Sequence, residues 1–385
     1  MGAAEKDSGC NSMRVGLIDV DGHNFPNIPL MKLSAWHKQQ GDTVEWYEPL
    51  FSGHMNRVYM SKVFSFTQDY PYFVDADEVV RGGSGYCIEL TDGREHYQKE
   101  RDKELPPEVE HIYPDYSIYP ELTQDKVFGF LTRGCPRGCE FCHVGCKEGK
   151  RSHKVADLSE FWRGQKNIVL CDPNTLACPE HMELLQQLKD SKARVNFNQG
   201  LDIRLMNERN IELLKQIKLE TIHVAYDRYT DKDIIEAKMK MFKEMTGYNK
   251  DRGRVMVYIL CNFDTTVEQD IERIQFCRSL EFIPYPMIYD KEHADHIYKK
   301  LQRWCNNFVF WKTPRFEDYD ASIRRRGVQS ESFKMNMQSM RKRAKRKETV
   351  AAVSRLAVCV RRLKPKNIIA NLTPYCKHEK AGETP

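Results

Sequence analysis

Thr132-Arg-Gly-Cys-Pro-Arg-Gly-Cys-Glu-Phe-Cys142 follows directly on the apolar run of residues 127–131. Its cysteines, Cys135, Cys139 and Cys142, stand in a C-x3-C-x2-C spacing with an aromatic, Phe141, before the last one. Three thiolates this close on one Gly-containing loop suit one face of an iron–sulfur cube. A [4Fe–4S] cluster normally takes four cysteines, so three leave one iron open to a small molecule. An open metal position marks a reactive site, whereas structural sites are closed. Zinc is the competing reading. It favours paired C-x2-C knuckles with a second pair downstream, and here the nearest further cysteine is Cys146 and the next two are Cys171 and Cys178.

Working outward, the run before the loop is the first of six candidate strands, at 127–131, 167–171, 194–198, 221–226, 254–261 and 283–289. Helix-like segments alternate with them near 155–163, 180–190, 207–217, 231–248, 266–279 and 292–305. Repeated β/α units predict a barrel-like parallel sheet whose chemistry gathers at the C-terminal strand ends, where the cysteine loop lies. Upstream, strand-like segments at 14–20, 43–47 and 57–66, a helix at 29–40 stopped by Gly41, and a Gly82-Gly-Ser-Gly85 turn predict a small parallel α/β domain. Residues 104–124 hold four prolines and little periodicity, as an ordered linker would. The expected division is therefore a disordered 1–13, a Rossmann-like domain over 14–103, a linker over 104–124, a barrel over 125–315 and a basic helical extension over 316–385.

The net charge of +5 hides a division: residues 322–366 carry fifteen Lys/Arg against two Glu, or +13, so the rest of the chain is −8. A nucleic-acid argument from charge rests on that tail alone, through phosphate contacts of Arg324–Arg326 and Arg341–Lys347. The tail lacks interleaved aromatics for base stacking. Thirteen cysteines without a secretory apolar core at the start predict free or metal-bound thiols in a reducing, cytoplasmic setting. No run of eighteen apolar residues predicts a membrane span.

The loop 133–142 after a strand, followed by six β/α units, resembles the radical S-adenosylmethionine (radical SAM) superfamily over about residues 125–300. The resemblance implies a partial (β/α)6 barrel and a [4Fe–4S] cluster on Cys135, Cys139 and Cys142. It also implies that S-adenosylmethionine (SAM) binds the fourth iron through its amino and carboxylate groups. One electron from a reductase or a ferredoxin- or flavodoxin-type donor then cleaves SAM to methionine and a 5′-deoxyadenosyl radical that abstracts hydrogen from substrate. In this frame Gly134 and Gly138 let the loop curl and Phe141 shields the cluster.

Strand ends supply the remaining candidates. The family's Gly-rich turn after the second strand is replaced by Leu170-Cys-Asp-Pro-Asn174, where Asp172 and Asn174 are candidate acceptors for the SAM ammonium; the alternative is a turn and cap. After the third strand come Gln199 and Arg204, the latter suited to clamp a carboxylate; the alternative is a surface Asp202–Arg204 pair. After the fourth, Asp227 is a candidate for ribose hydroxyls, or else a helix cap. The N-terminal domain loosely resembles the cobalamin-binding domain of cobalamin-dependent radical SAM enzymes. Asp21-Gly-His-Asn-Phe-Pro26 offers Asp and His of a D-x-H-x-x-G pattern but has Pro in place of the Gly. His23 is thus a candidate cobalamin or metal ligand, and the balance of these residues falls against cobalamin. The reading is a radical SAM enzyme acting on an unidentified substrate by methylation or rearrangement. The alternative is a metal-stabilised nucleic-acid-binding protein using the basic tail. A methylthiotransferase-like reading lacks a second cysteine trio and a C-terminal β-barrel module.

Overall fold

The computed structural model describes residues 12–91, 94–306 and 308–320. Residues up to Phe316 form one compact unit and a second begins at Glu317. The basic tail of 322–366 lies outside the described residues.

Four parallel strands open the chain: β1 (Arg14–Asp19), β2 (Thr43–Trp46), β3 (Met55–Ser61) and β4 (Ala76–Gly82), in the order β2-β1-β3-β4. Val15, Leu17 and Ile18 of β1 are buried, as the central strand of a covered parallel sheet requires. The crossover from β1 to β2 is the helix Ile28–Gln39, capped by Asn27, whose side-chain oxygen accepts from Leu30 N–H at 3.2 Å. This strand order places the topological switch point between β1 and β3. The strand expected over 57–66 stops at Ser61, because the Asp21 carboxylate takes the Val63 and Phe64 N–H groups and the Thr67 hydroxyl and turns the chain. The Gly82–Gly85 turn has a packing cause: a Cβ on Gly83 would lie 2.3 Å from the Lys62 carbonyl oxygen. An antiparallel hairpin follows, β5 (Ile88–Thr91) with β6 (Arg94–Tyr97).

The second half is a parallel wall. Its strands are β7 (Lys126–Gly129), β10 (Asn167–Leu170), β11 (Arg194–Phe197), β13 (Ile222–Ala225), β14 (Val255–Cys261) and β15 (Ile283–Ile288). Short β8 (Thr132–Arg133) and β9 (His153–Lys154) pair beside it, and β12 (Lys218–Leu219) lines β11. A single bridge, Leu201 to Val224, links β11's exit to β13, so the six long strands run in chain order. The fold class is α/β with parallel sheets, as the alternating periodicity implied. All six expected strands are present. Of the expected helices, 155–163 is reduced to the turn Leu158–Glu160, whose C-cap Phe161 has already left the helical region at φ −130°.

Alternate wall residues, Ile168, Leu170, Val195, Phe197, Ile222, Val224, Val257 and Ile259, are fully buried. The opposite face begins with the register row Phe128, Val169 and Asn196. Phe128, Val169 and Cys171 form one cluster there with Ile28 and Met31 of the N-terminal helix and Tyr119. The segment 104–124 is ordered into the short helices Pro107–Glu110 and Pro120–Thr123 and fastens this contact, with Tyr119 Oη donating to Asp19 at 2.7 Å.

Candidate functional site

The cysteine loop leaves β8 at the C-terminal end of β7. Gly134 has φ 81°, and a Cβ there would sit 2.1 Å from the Arg151 carbonyl oxygen, so only glycine fits. Gly138 has φ 59° with open space around it. The loop is held by Cys135 N–H to the Gly149 carbonyl (3.1 Å) and Cys142 N–H to the Cys139 carbonyl (3.0 Å). Glu148 clamps its root, accepting from Gly134 N–H at 3.1 Å and pairing with Arg133 at 2.9 Å. The Cys139 thiol is pushed above its usual range by burial first, and then by Cys142, Asp227 and Cys135. Burial likewise raises Cys142. Three thiols and a carboxylate share one neighbourhood with the Arg204 guanidinium. Among the described residues, no three His, Cys, Asp or Glu side chains close on a single ion.

Asp172, just past β10, is buried and points back at the root of the loop. It accepts from Leu131 N–H (3.1 Å), Thr132 N–H (2.6 Å) and Thr132 Oγ1 (2.7 Å). Burial pushes its carboxyl up to about 6 despite these donors. Asn174, two residues on, faces the thiols: its Nδ2 donates to Cys135 Sγ at 3.5 Å and to Asp202 Oδ2 at 3.3 Å. Its Oδ1 is buried without a partner.

At the exit of β11, Asp202 is the hub of a charged cluster. It accepts from Arg137 Nε of the cysteine loop (2.6 Å), from Arg204 Nε (2.8 Å) and from Asn174. Arg204 also pairs with Asp231. Burial alone would raise the Asp202 carboxyl, and the guanidinium groups of Arg204 and Arg137 outweigh it and hold the carboxyl below its usual range. The Asp202–Arg204 contact is therefore no surface pair: the two side chains are 7 % and 16 % exposed. Gln199 is exposed and stands outside this cluster.

Asp227, past β13, lies within electrostatic reach of Cys139 and Cys142 and of Arg204, and burial raises its carboxyl to about 6. Its backbone is fixed from below by Arg273, fully buried beside Asp270, which donates to the carbonyls of Tyr226 (2.6 Å), Asp227 (2.8 Å) and Leu260 (2.7 Å). Phe141 meets Phe263 edge-on at 5.3 Å, and Phe263 meets Tyr289 at 4.8 Å, an aromatic line beside the thiols. His23 lies elsewhere, edge-on to Trp46 at 4.2 Å and near Tyr119, and burial lowers its basicity.

Asn174, Arg204 and Asp227 thus come together with the cysteines, while Asp172 serves the loop's root. Arg137 and Arg273 escaped the sequence reading. Arg137 sits inside the cysteine spacing itself, which is a signal; Arg273 has only its i+3 relation to Asp270.

No protein-family model matches this chain. Among curated proteins it is similar to the probable dual-specificity RNA methyltransferase RlmN of Acaryochloris marina (strain MBIC 11017), 24% identical over 230 residues. The match takes in 52% of this chain and 62% of that protein's length, so the chain spans less than two thirds of the relative. Over half of its length, the chain is thus similar to a probable RNA methyltransferase.

Proposed function

We propose that this chain is a radical SAM enzyme that transfers a methyl group to RNA. The carrying observation is the three-cysteine loop at the C-terminal mouth of the parallel wall, with the Asn174 amide on Cys135. The likeness to a methyltransferase supports it, and RNA enters as the substrate class of that relative.

The residues fit a cluster with SAM on three counts. The loop offers three thiols and three only within its spacing, and Gly134 and Gly138 give the curl that a bulky cluster needs. Asn174 Nδ2 donates to Cys135 Sγ at 3.5 Å, the kind of hydrogen bond that a cluster-bound sulfur accepts. A buried acceptor, Asn174 Oδ1, faces no donor of the protein beside Cys135. A buried orphan acceptor costs about 1–3 kcal/mol, which an ammonium group would offset. In this reading Cys135, Cys139 and Cys142 hold the cluster, and the cluster with SAM supplies the one-electron chemistry. Asn174 accepts from the SAM ammonium, Arg204 and Arg137 present positive charge toward its carboxylate, and Asp227 receives ribose hydroxyls. Asp202 keeps both arginines in place, and Phe141 with Phe263 excludes water. Gln199 borders the opening. His23 packs on Trp46, and no cobalamin forms part of the proposal. Electrons come from a small reductase, ferredoxin or flavodoxin. No helix among the described residues is long and apolar enough to cross a membrane.

Anaerobic reconstitution of the chain tests this. Iron content near four per chain, visible charge-transfer absorbance and reductive SAM turnover are expected. S-adenosylhomocysteine beside 5′-deoxyadenosine indicates radical methylation, whereas 5′-deoxyadenosine alone indicates hydrogen abstraction without it. Cys139→Ala loses the absorbance. A wild-type chain that takes up no iron refutes the proposal.

A further inference from the structure

The wall's inner face carries polar groups that the cluster site does not use. We infer that Asn196, His223, Tyr258 and Tyr285 form a binding pocket for a neutral nucleobase. The inference rests on the proposed reading only in taking RNA as the source of that base.

His223 is 8 % exposed and lies on the face opposite to Ile222 and Val224. Its Nδ1 is 3.1 Å from the carbonyl oxygen of Phe197, the residue after Asn196. A carbonyl only accepts, so Nδ1 carries the proton and Nε2 is left as an acceptor. Burial also lowers the basicity of this imidazole, in keeping with a neutral ring. Asn196 sits on the same face, in the row of Val169 and Phe128, and its Oδ1 is buried with no partner. Native structures leave few such atoms unpaired, and each calls for an explanation.

Aromatic rings stand beside these acceptors. His223 stacks on Tyr258 at 5.1 Å and 6°, and Tyr258 meets Tyr285 edge-on at 5.8 Å. Tyr258 Oη is engaged with the Asn198 carbonyl at 3.2 Å, which fixes the ring, and Tyr285 is 39 % exposed, so it offers surface to a ligand. The unpaired Asn196 Oδ1, beside an imidazole acceptor, asks for a ligand with N–H donors, which a phosphate or a carboxylate lacks. A flat ring wall asks for a planar ligand. The Asn196 amide, donor and acceptor side by side, matches the mixed edge of a base. Enzymes that act on a base read its edge in this way and stack it on aromatic side chains.

The test is calorimetric titration of the full chain, with and without reconstituted iron, using adenosine, guanosine, cytidine and uridine as probes. At least one nucleoside binds the wild type at a single site. Asn196→Leu and His223→Phe each weaken it about tenfold, the value of one hydrogen bond, and leave iron content unchanged. Asn196→Leu also holds or raises the melting temperature, because it removes an unpaired buried oxygen; a merely structural Asn196 would lower it. The inference is overturned if no nucleoside binds the wild type, or if both variants bind as the wild type does. A chain that takes up no iron yet binds a nucleoside in this variant-sensitive way keeps the pocket and loses the proposed radical chemistry.

Discussion

Asp172→Asn isolates the energetic cost of holding the cysteine loop. Asp172 is 3 % exposed, and its folded-state value is about 6 against an ordinary 3.8. Burial is the cause, and the Leu131 and Thr132 donors recover only part of it. A carboxyl raised on folding binds its proton earlier in the folded chain than in the unfolded one. Its ionised form therefore weighs on stability at neutral pH, and that weight is relieved as pH falls through 6. Between pH 7 and pH 5 the relief is about 1.4 kcal/mol, since one pKa unit is worth about 1.36 kcal/mol. Asparagine keeps the Oδ1 acceptor for Thr132 and does not titrate. The stability of wild type minus variant should thus rise by about 1.4 kcal/mol from pH 7 to pH 5, or about 3 °C in melting temperature. Asp19 and Asp227, also raised to about 6, titrate in both chains and cancel in the difference. Urea unfolding of both chains at pH 5, 6 and 7 measures it. A difference that is flat with pH, or that falls toward pH 5, would mean the three donors fully compensate burial, and the reasoning would fail.

Gly134→Ala drives a Cβ into the Arg151 carbonyl oxygen and strains a left-handed backbone, so the chain should lose more than about 1 kcal/mol of stability and its iron, read by unfolding and metal analysis. Arg273→Met leaves Asp270 buried without its partner and should cost about 3–5 kcal/mol in urea unfolding. Asp202→Asn removes the charge that holds Arg137 and Arg204, and SAM affinity by calorimetry should drop at least several-fold. The same variant should lose the wild type's acid sensitivity at this site, because the stability from a carboxyl held low is present at neutral pH and disappears as pH falls below its ordinary range.

Which parts were legible in the sequence follows from the range of the forces involved. The six wall strands were readable because each is a short β-branched or apolar run between polar helices, and a parallel strand covered on both faces has no other pattern. The departures at 57–66 and 155–163 are confined to those segments. Asp21 captures backbone donors about forty residues away, and Phe161 ends the turn Leu158–Glu160 before a helix can build. At the site, spacing revealed the cysteines because all three lie on one loop. The surrounding charges were harder to read, since their roles depend on which strand end faces which. Asp202 is readable as one of several polar groups in an exit loop, with a surface ion pair as the alternative, and is the hub joining the cysteine loop to the exit of β11. Asp172 and Asn174 are two residues apart with opposite tasks, one tying down Leu131 and Thr132, the other touching Cys135. Only the register β10–β7 decides between them: it brings Leu170 level with Gly129, so the next residues meet the start of the loop. Asn196 and His223 are further still from sequence-level reach, because an asparagine in a buried strand carries no signal until its neighbours are known. The Asn196 oxygen left unpaired there is the part of the wall least explained by folding, and so the part most open to explanation by a ligand.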